Sequence, residues 1–300
     1  MVKQSKRLTS AAAIERIQHI FRCPICKAQM QMITSQRLCC SNEHSFDIAR
    51  QGYLNLLSRA HNTNYDKNIF VCRRAIGRSG FFDPLHAAIS SVVIDRLPTH
   101  EPASLLDAGC GEGSHFVNIQ EEMMRHNIAL PCSVGIDISK EGIGFAAAEY
   151  SNATWCVADI ANCPFADRQF EIVLNILSPA NYSEFRRLIA DDGMVIKVIP
   201  GREYLKELRE VLYEGSNKQA YSNARTLDHF NAHFEIADVE SLRYQVDLRE
   251  PLIEPLLGMT PLSWGTSRER LDKVRAMHVP RVTVDFKILI GKNPLSRQNR

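Results

Sequence analysis

Five residues within a short stretch could compete to hold one metal ion. In "CPICKAQMQMITSQRLCCSNEH", Cys23 and Cys26 form a C-x-x-C pair, and Cys39, Cys40 and His44 follow. Thiolates and imidazole suit a borderline-soft ion that takes four ligands tetrahedrally. Two sets fit the spacing: Cys23, Cys26, Cys39 and His44, or Cys23, Cys26, Cys40 and His44. The segment "MQMITSQRLCC" reads as a hairpin whose second arm ends at the cysteines, and successive side chains of a strand face opposite ways. Cys40 then shares a face with Leu38, expected to be the inner one, and Cys39 shares the other with Arg37. Parity therefore selects Cys40 and leaves Cys39 spare. Four protein ligands close the shell, so the expected ion is a structural Zn2+. It would supply folding energy to a module too small to bury enough apolar surface alone.

A second constellation begins at "LLDAGCGEG", where Asp107 precedes Gly109, Gly111, Glu112 and Gly113. Glycines at this spacing allow positive φ and let a ligand approach the backbone closely. The pattern is G-x-G-x-G, not the G-x-G-x-x-G of a dinucleotide fingerprint. Asp137 in "VGIDIS" and Asp159 in "CVADIANCPF" each end an apolar run. Alone, each acid would pass for a helix cap or a loop residue. As an ordered set they look like the S-adenosylmethionine pocket of the Rossmann-like methyltransferases, with Asp137 placed for a ribose diol and Asp159 near an adenine amine. "LNILSPAN" ends the next run at the edge facing a methyl acceptor, which makes Asn175 and Ser178 candidates for positioning that acceptor. Many amino-group methyltransferases carry an Asn/Asp-Pro-Pro-aromatic turn here; Ser178-Pro179-Ala180 departs from it and argues against an exocyclic amine.

These residues need a scaffold that brings strand ends together, and the sequence supplies one. "ASLLDAG", "CSVGIDI", "ATWCVADI", "FEIVLNIL" and "GMVIKVIP" read as strands. "SHFVNIQEEMMRHN", "SKEGIGFAAAEY" and "NYSEFRRLIADD", the last ending at Gly193, read as helices between them. The alternation predicts an α/β fold with a mostly parallel sheet covered on both faces. Further on, "YLKELREVLY" reads as an amphipathic helix and "RVTVDFKILIG" as a late strand. "EPLIEPLLGMTPLSW" reads as a lid or substrate-side wall.

Composition sets the outer bounds. The chain has 300 residues, 45% hydrophobic and 23% charged, as in ordinary soluble domains. It has no apolar run of membrane-spanning length and no signal-peptide pattern, so a cytoplasmic protein is expected. Nine cysteines, four of them clustered, fit metal binding better than a disulfide scaffold. The net charge of +2 hides an asymmetry: residues 1–80 carry +9 and residues 81–300 carry −7. A basic module on an acidic body points to a polyanionic partner. Arg59, His61, Lys67, Arg73, Arg74 and Arg78 would form a basic linker facing such a partner.

"CPIC", "CSNEHSFDIARQGYLNLL", "RRAIGRSGFFDPL" and "LLDAGCGEG", with "LLGMTPLSW" near the end, resemble the bacterial 23S ribosomal RNA (guanine-N1)-methyltransferases of the RlmA type. The resemblance implies a Rossmann-like class I methyltransferase with a small N-terminal zinc ribbon or knuckle. The division would be a zinc-binding RNA-recognition module at 1–57, a basic linker at 58–80 and a methyltransferase domain at 81–300. The family's C-x-x-x-H step again selects Cys40. By position the resemblance places Phe82, where relatives can have Tyr, and Tyr204, where relatives have His, beside the cofactor. Gly111 and Glu112 fall on its turn. It further implies a 23S rRNA hairpin as partner, methylated on one of two neighbouring guanines near the macrolide-binding region of the tunnel, and a homodimer. Guanine N1 carries a proton, so the reaction needs a base or donors at O6, and the sequence singles out no base. The alternatives are a methyltransferase acting on another RNA or a small molecule, and an inactive zinc-ribbon RNA-binding protein. The basic excess and the intact glycine turn argue against them.

Overall fold

The computed structural model describes residues 5–59, 67–97, 102–215, 223–248, 250–276 and 281–294. Helix α1 (Lys6–Arg16) leads into a three-stranded antiparallel sheet of β1 (Met30–Thr34), β2 (Arg37–Cys40) and β3 (Ser45–Asp47). The two-residue β4 (Leu54–Asn55) follows, then α2 (Lys67–Arg78) and α3 (Asp83–Arg96). The alternating region holds β5 (Ser104–Ala108), α4 (Ser114–Arg125), β6 (Cys132–Asp137), α5 (Lys140–Glu149), β7 (Thr154–Val157), β8 (Phe170–Ile176), α6 (Tyr182–Leu188) and β9 (Ile189–Pro200). The chain continues through α7 (Lys206–Leu212), α8 (Ala224–Asn231), β10 (Phe234–Asp247), α9 (Glu250–Met259), α10 (Arg268–Ala276) and β11 (Arg281–Pro294).

The large sheet has eight strands in the order β10-β11-β9-β8-β5-β6-β7-β4. Strands β4 to β9 pair in parallel, while β11 runs antiparallel to both neighbours. The chain steps outward from β5 through β6 to β7, then returns to lay β8 and β9 on the other side of β5. Such a reversal of strand order opens a crevice at the carboxyl ends of the strands, which is where the glycine turn and the acids must converge. Apolar residues on both faces explain why the inner strands read as continuous runs. Leu105 and Leu174 pack into one core, and Leu106 and Val173 into the other.

Two readings are revised. The helix expected to run to Gly193 stops at Leu188, because Ile189 already pairs with Phe170 in the sheet. The basic stretch expected as a linker is largely helix α2, which buries Ile69, Phe70 and Ile76.

The N-terminal module shares the second core with the large sheet. Phe21 bridges to Phe165 with ring centroids 5.5 Å apart, and Leu54 of β4 pairs with Cys156 of β7. The Arg22 N–H donates to the Pro164 carbonyl at 2.9 Å and the Ala166 N–H to that of Ile20 at 2.7 Å. The module's apolar residues are thus buried against the sheet as well as against each other.

Candidate active site and metal centre

Strand β2 delivers the metal-ligating types as its parity requires. Leu38 and Cys40 face the shared core, while Cys39 lies outside that cluster and feels the charge of Arg37. Arg37 itself is exposed and paired with Asp47 at 2.8 Å. The ligand atoms of Cys23, Cys26, Cys40 and His44 all lie within 4.8 Å of one another. Sγ of Cys26 and Sγ of Cys40 are 3.6 Å apart. His44 Nδ1 is 3.6 Å from Cys23 Sγ and 3.5 Å from Cys40 Sγ. A tetrahedron with Zn–S bonds of about 2.3 Å has edges of about 3.8 Å between sulfurs, slightly less where nitrogen replaces one. The four residues therefore fit a closed Cys3His zinc shell.

The crevice at the sheet switch is a cavity of about 830 Å3. Gly109, Gly111 and Gly113 all have positive φ, at 90°, 58° and 87°. The turn is pinned by β6: the N–H groups of Gly109 and Cys110 donate to the Ile136 carbonyl at 2.8 and 2.9 Å. Asp137 accepts from the Gly111 N–H at 2.9 Å and from the Ser139 N–H at 2.8 Å. Burial raises its pKa, which those donors and Arg73 oppose. Glu112 is buried and accepts from Ser114 N–H at 3.1 Å and Ser114 Oγ at 2.6 Å. Burial raises its pKa as well.

Of the residues expected at a cofactor site, Phe82, Gly109, Gly111, Glu112, Asp137, Asp159 and Tyr204 line this one cavity. Phe82 meets the His115 ring edge-on at 4.6 Å, and Tyr204 packs on Phe286 at 5.1 Å. Asp159 caps its own loop by accepting from the Ala161 N–H at 2.8 Å. Asp107 does not line the cavity. It is buried, its Oδ1 has no hydrogen-bond partner among the described residues, and burial, followed by the charges of Asp137 and Glu112, pushes its pKa far up. Positive-φ glycines at 109 and 111, on the wall of a crevice that also holds the carboxyl groups of Glu112, Asp137 and Asp159, fit a ligand bearing a cationic group, as S-adenosylmethionine does.

Asn175 requires a correction. It is fully buried, donates to the carbonyls of Ala108 at 2.5 Å and Pro179 at 3.0 Å, and accepts from Lys197. Its bonds are spent inside the protein and it does not line the cavity, so it holds the acceptor-side loop; Ser178 does line it. The basic residues of the former linker are also redistributed. Arg73 lines the cavity, and Arg74 and Arg78 pair with Glu149 of α5. Arg59 and Lys67 are exposed, and His61 lies outside the described residues.

Several cavity residues went unnoticed in the sequence: Phe70, His115, Tyr182, Lys197 and His229. Most come from elements far from the glycine turn, and only one carried a signal: Lys197 is a lone charge inside the apolar run "GMVIKVIP". Met259, Thr260 and Pro261, from the stretch expected to form a wall or lid, also line the cavity.

Comparison with known proteins agrees with this geometry. Residues 21–62 match the zinc-ribbon family model described as "RlmA, N-terminal", and residues 99–217 match a methyltransferase domain model. The chain is 42% identical over 274 residues to YxjB of Bacillus subtilis (strain 168), covering 91% of this chain and 96% of that one; its provisional name is 23S rRNA (guanine-N1)-methyltransferase. It is 29% identical over 274 residues, 89% of this chain and 95% of the other, to the 23S rRNA (guanine(748)-N1)-methyltransferase of Streptomyces fradiae. Among solved structures, a provisionally named type II methyltransferase of Anaeromyxobacter dehalogenans superposes with a TM-score of 0.50 at 15% identity, covering 68% of this chain and 95% of that one. That likeness concerns the fold alone.

Proposed function

The chain belongs to the family of 23S rRNA (guanine-N1)-methyltransferases, and from that membership we propose that it methylates N1 of a guanine in a 23S rRNA hairpin. The observation that carries this reading is the joining, in one chain, of a Cys3His cluster to a glycine-turn crevice at a sheet switch. When bound, S-adenosylmethionine supplies an electrophilic methyl group on a sulfonium.

The residues around the cavity divide the remaining work. Gly109 and Gly111 keep the turn low enough for the cofactor to lie against the backbone. Asp137, already fixed by two backbone donors, offers its remaining lone pairs to the ribose diol. Asp159 stands on the adenine side, and Asp107 lies behind the turn as a buried carboxyl that burial drives toward its neutral form. Phe82 and Tyr204 exclude water from the methyl-transfer end, which strengthens every electrostatic contact inside. Catalysis then rests largely on holding the guanine nitrogen in line with the methyl group. The guanine must leave its stack to enter the cavity, most readily from a hairpin loop.

Residues 1–57 serve as the zinc-stabilised module and residues 81–300 as the catalytic domain. Cys23, Cys26, Cys40 and His44 hold the ion, whose closed shell leaves no position for chemistry. Exposed Arg59 and Lys67 contribute phosphate contacts, which position RNA without reading its sequence. Action on ribosomal RNA supports a cytoplasmic location.

Nucleoside mass spectrometry of 23S rRNA tests the proposal in a strain lacking the gene and in the same strain complemented with it. Appearance of 1-methylguanosine only on complementation is expected. Unchanged 1-methylguanosine in both would reject it.

A further inference from the structure

Lys197 is a buried amine with no carboxylate partner among the described residues. It lies on β9 opposite Asn175 of β8, is 4% exposed, and lines the cavity. Its Nζ donates to Asn175 Oδ1 at 2.5 Å and to the Ser178 carbonyl, both neutral oxygens. Among the described residues no carboxylate pairs with it. A buried ammonium without a counter-ion is expensive, so such a lysine is driven toward its neutral amine. Burial alone lowers its pKa to about 8.

Its surroundings also fix its position. The Ser178 loop presses on the glycine turn: a Cβ at Gly109 would fall 2.0 Å from Ser178 Oγ. Lys197 is therefore tethered, through the loop it holds, to the glycine turn of the cavity, which Tyr182 of α6 and His229 of α8 also line. Asn175, in turn, is locked by the carbonyls of Ala108 and Pro179 and aims its oxygen at the amine.

Resting on the guanine-N1 reading above, we infer that Lys197 is the general base that removes the N1 proton during methyl transfer. The guanine N1–H bond breaks and the proton passes to the neutral amine. The electron pair left on N1 forms the new N1–carbon bond, and the carbon–sulfur bond breaks with its pair remaining on sulfur. The sulfonium charge disappears as an ammonium appears, so total charge is conserved.

The other titratable groups in the cavity are poorer bases for this step. Burial pushes Tyr182 up to about 12 and Tyr204 higher, so both stay protonated. His115 is bonded to His86 across 2.8 Å, and burial holds it far below the ordinary histidine range. Asp137 and Glu112 already take donors of the glycine turn and of Ser114, and Asp159 takes the Ala161 N–H. Arg73 and Arg225 carry guanidinium groups, which offer no acceptor, and burial pushes the Cys110 thiol far up. His229 of α8, exposed at the rim, is the remaining competitor.

The test uses the zinc-loaded full chain, S-adenosylmethionine and the hairpin RNA under single-turnover conditions. Wild type should show a rate that rises with pH and levels off above about 8. Lys197→Met and Lys197→Arg should each slow transfer by about 10²-fold or more and lose that inflection, while calorimetric cofactor affinity stays within about threefold. Either variant retaining the rate or the inflection would overturn the assignment, as would an inflection that vanishes in His229→Gln with Lys197 intact. Should both lysine variants fail to fold, isotope-labelled lysine NMR of wild type decides independently of turnover. A buried lysine signal titrating near 8 supports the assignment, and none titrating below 10 overturns it. Wild type that leaves guanine N1 unmethylated would instead reject the guanine-N1 reading itself.

Discussion

Substituting Gly111 by alanine separates binding from folding at the glycine turn. Gly111 has φ of 58°, and forcing an L-residue there costs roughly 1–2 kcal/mol. Space adds nothing to that figure. The nearest atoms to a new Cβ are Arg73 Nη1 at 3.5 Å and a Phe70 ring carbon at 3.9 Å, both ordinary contacts. The added methyl would instead stand in the cavity, where the cofactor has to reach the backbone. Gly113→Ala makes the control. Its φ is 87°, and its Cβ would meet the Trp155 ring at 2.6 Å and Ala146 Cβ at 3.1 Å. Overpacking adds about 1–3 kcal/mol to the conformational cost, for a total of roughly 2–5 kcal/mol. Denaturant unfolding of the ligand-free proteins should rank wild type, then Gly111→Ala, then Gly113→Ala. Calorimetric titration with S-adenosylmethionine should show Gly111→Ala binding at least about tenfold more weakly, a loss of about 1.4 kcal/mol or more. Gly111→Ala with wild-type affinity would refute the placement of the cofactor against this turn.

Three further outcomes follow from other parts of the molecule. Cys39→Ser should retain one zinc per chain by metal analysis and Cys40→Ser should lose it; the reverse would place the wrong sulfur in the shell. His86 is buried beside His115, and burial lowers its pKa to about 4, against about 6.5 when unfolded. Since the unfolded state takes up the proton first, the stability that the neutral form provides is complete above about 6.5 and is lost as pH falls toward 4. The loss is up to about 3 kcal/mol. Denaturation midpoints of wild type between pH 7.5 and 4.5 should fall more steeply than those of His86→Gln, and parallel curves would exclude this origin. Charge reversal at exposed Arg59 and Lys67 should weaken binding of the hairpin RNA and reduce the slope of log K against log salt by nearly one for each phosphate left unneutralised. An unchanged slope would remove both residues from the interface.

How much of this was legible depended on whether a residue's role is local. The zinc set could be read because strand parity is a two-residue rule, and Leu38 beside Cys40 was enough to orient it. That Gly109, Gly111, Asp137 and Asp159 meet at one cavity could be read because each sits at, or within three residues of, the end of a strand whose apolar run marks where it stops. The docking of the N-terminal module could not, since β4 is two residues long and carries no periodicity, and the contact of Phe21 with Phe165 joins distant segments. The basic residues 73, 74 and 78 hid a helix whose apolar side is Ile69, Phe70 and Ile76. Asn175 was misread because burial consumes its amide, a fact set by Lys197 on a neighbouring strand. Lys197 shows the converse, for a charge inside an apolar strand becomes meaningful only once it is seen to have no carboxylate partner among the described residues.

Reverse transcription reads methylation at guanine N1 directly. A methyl group there removes the Watson–Crick N1–H donor and halts the polymerase at the modified base. The purified zinc-loaded protein should be incubated with S-adenosylmethionine and an unmodified 23S rRNA hairpin, then assayed by primer extension. A new stop at a guanine of the hairpin, dependent on both protein and cofactor, is the expected result. Cofactor binding without any stop, or methyl label recovered on another atom, would rule out guanine-N1 methylation by this protein.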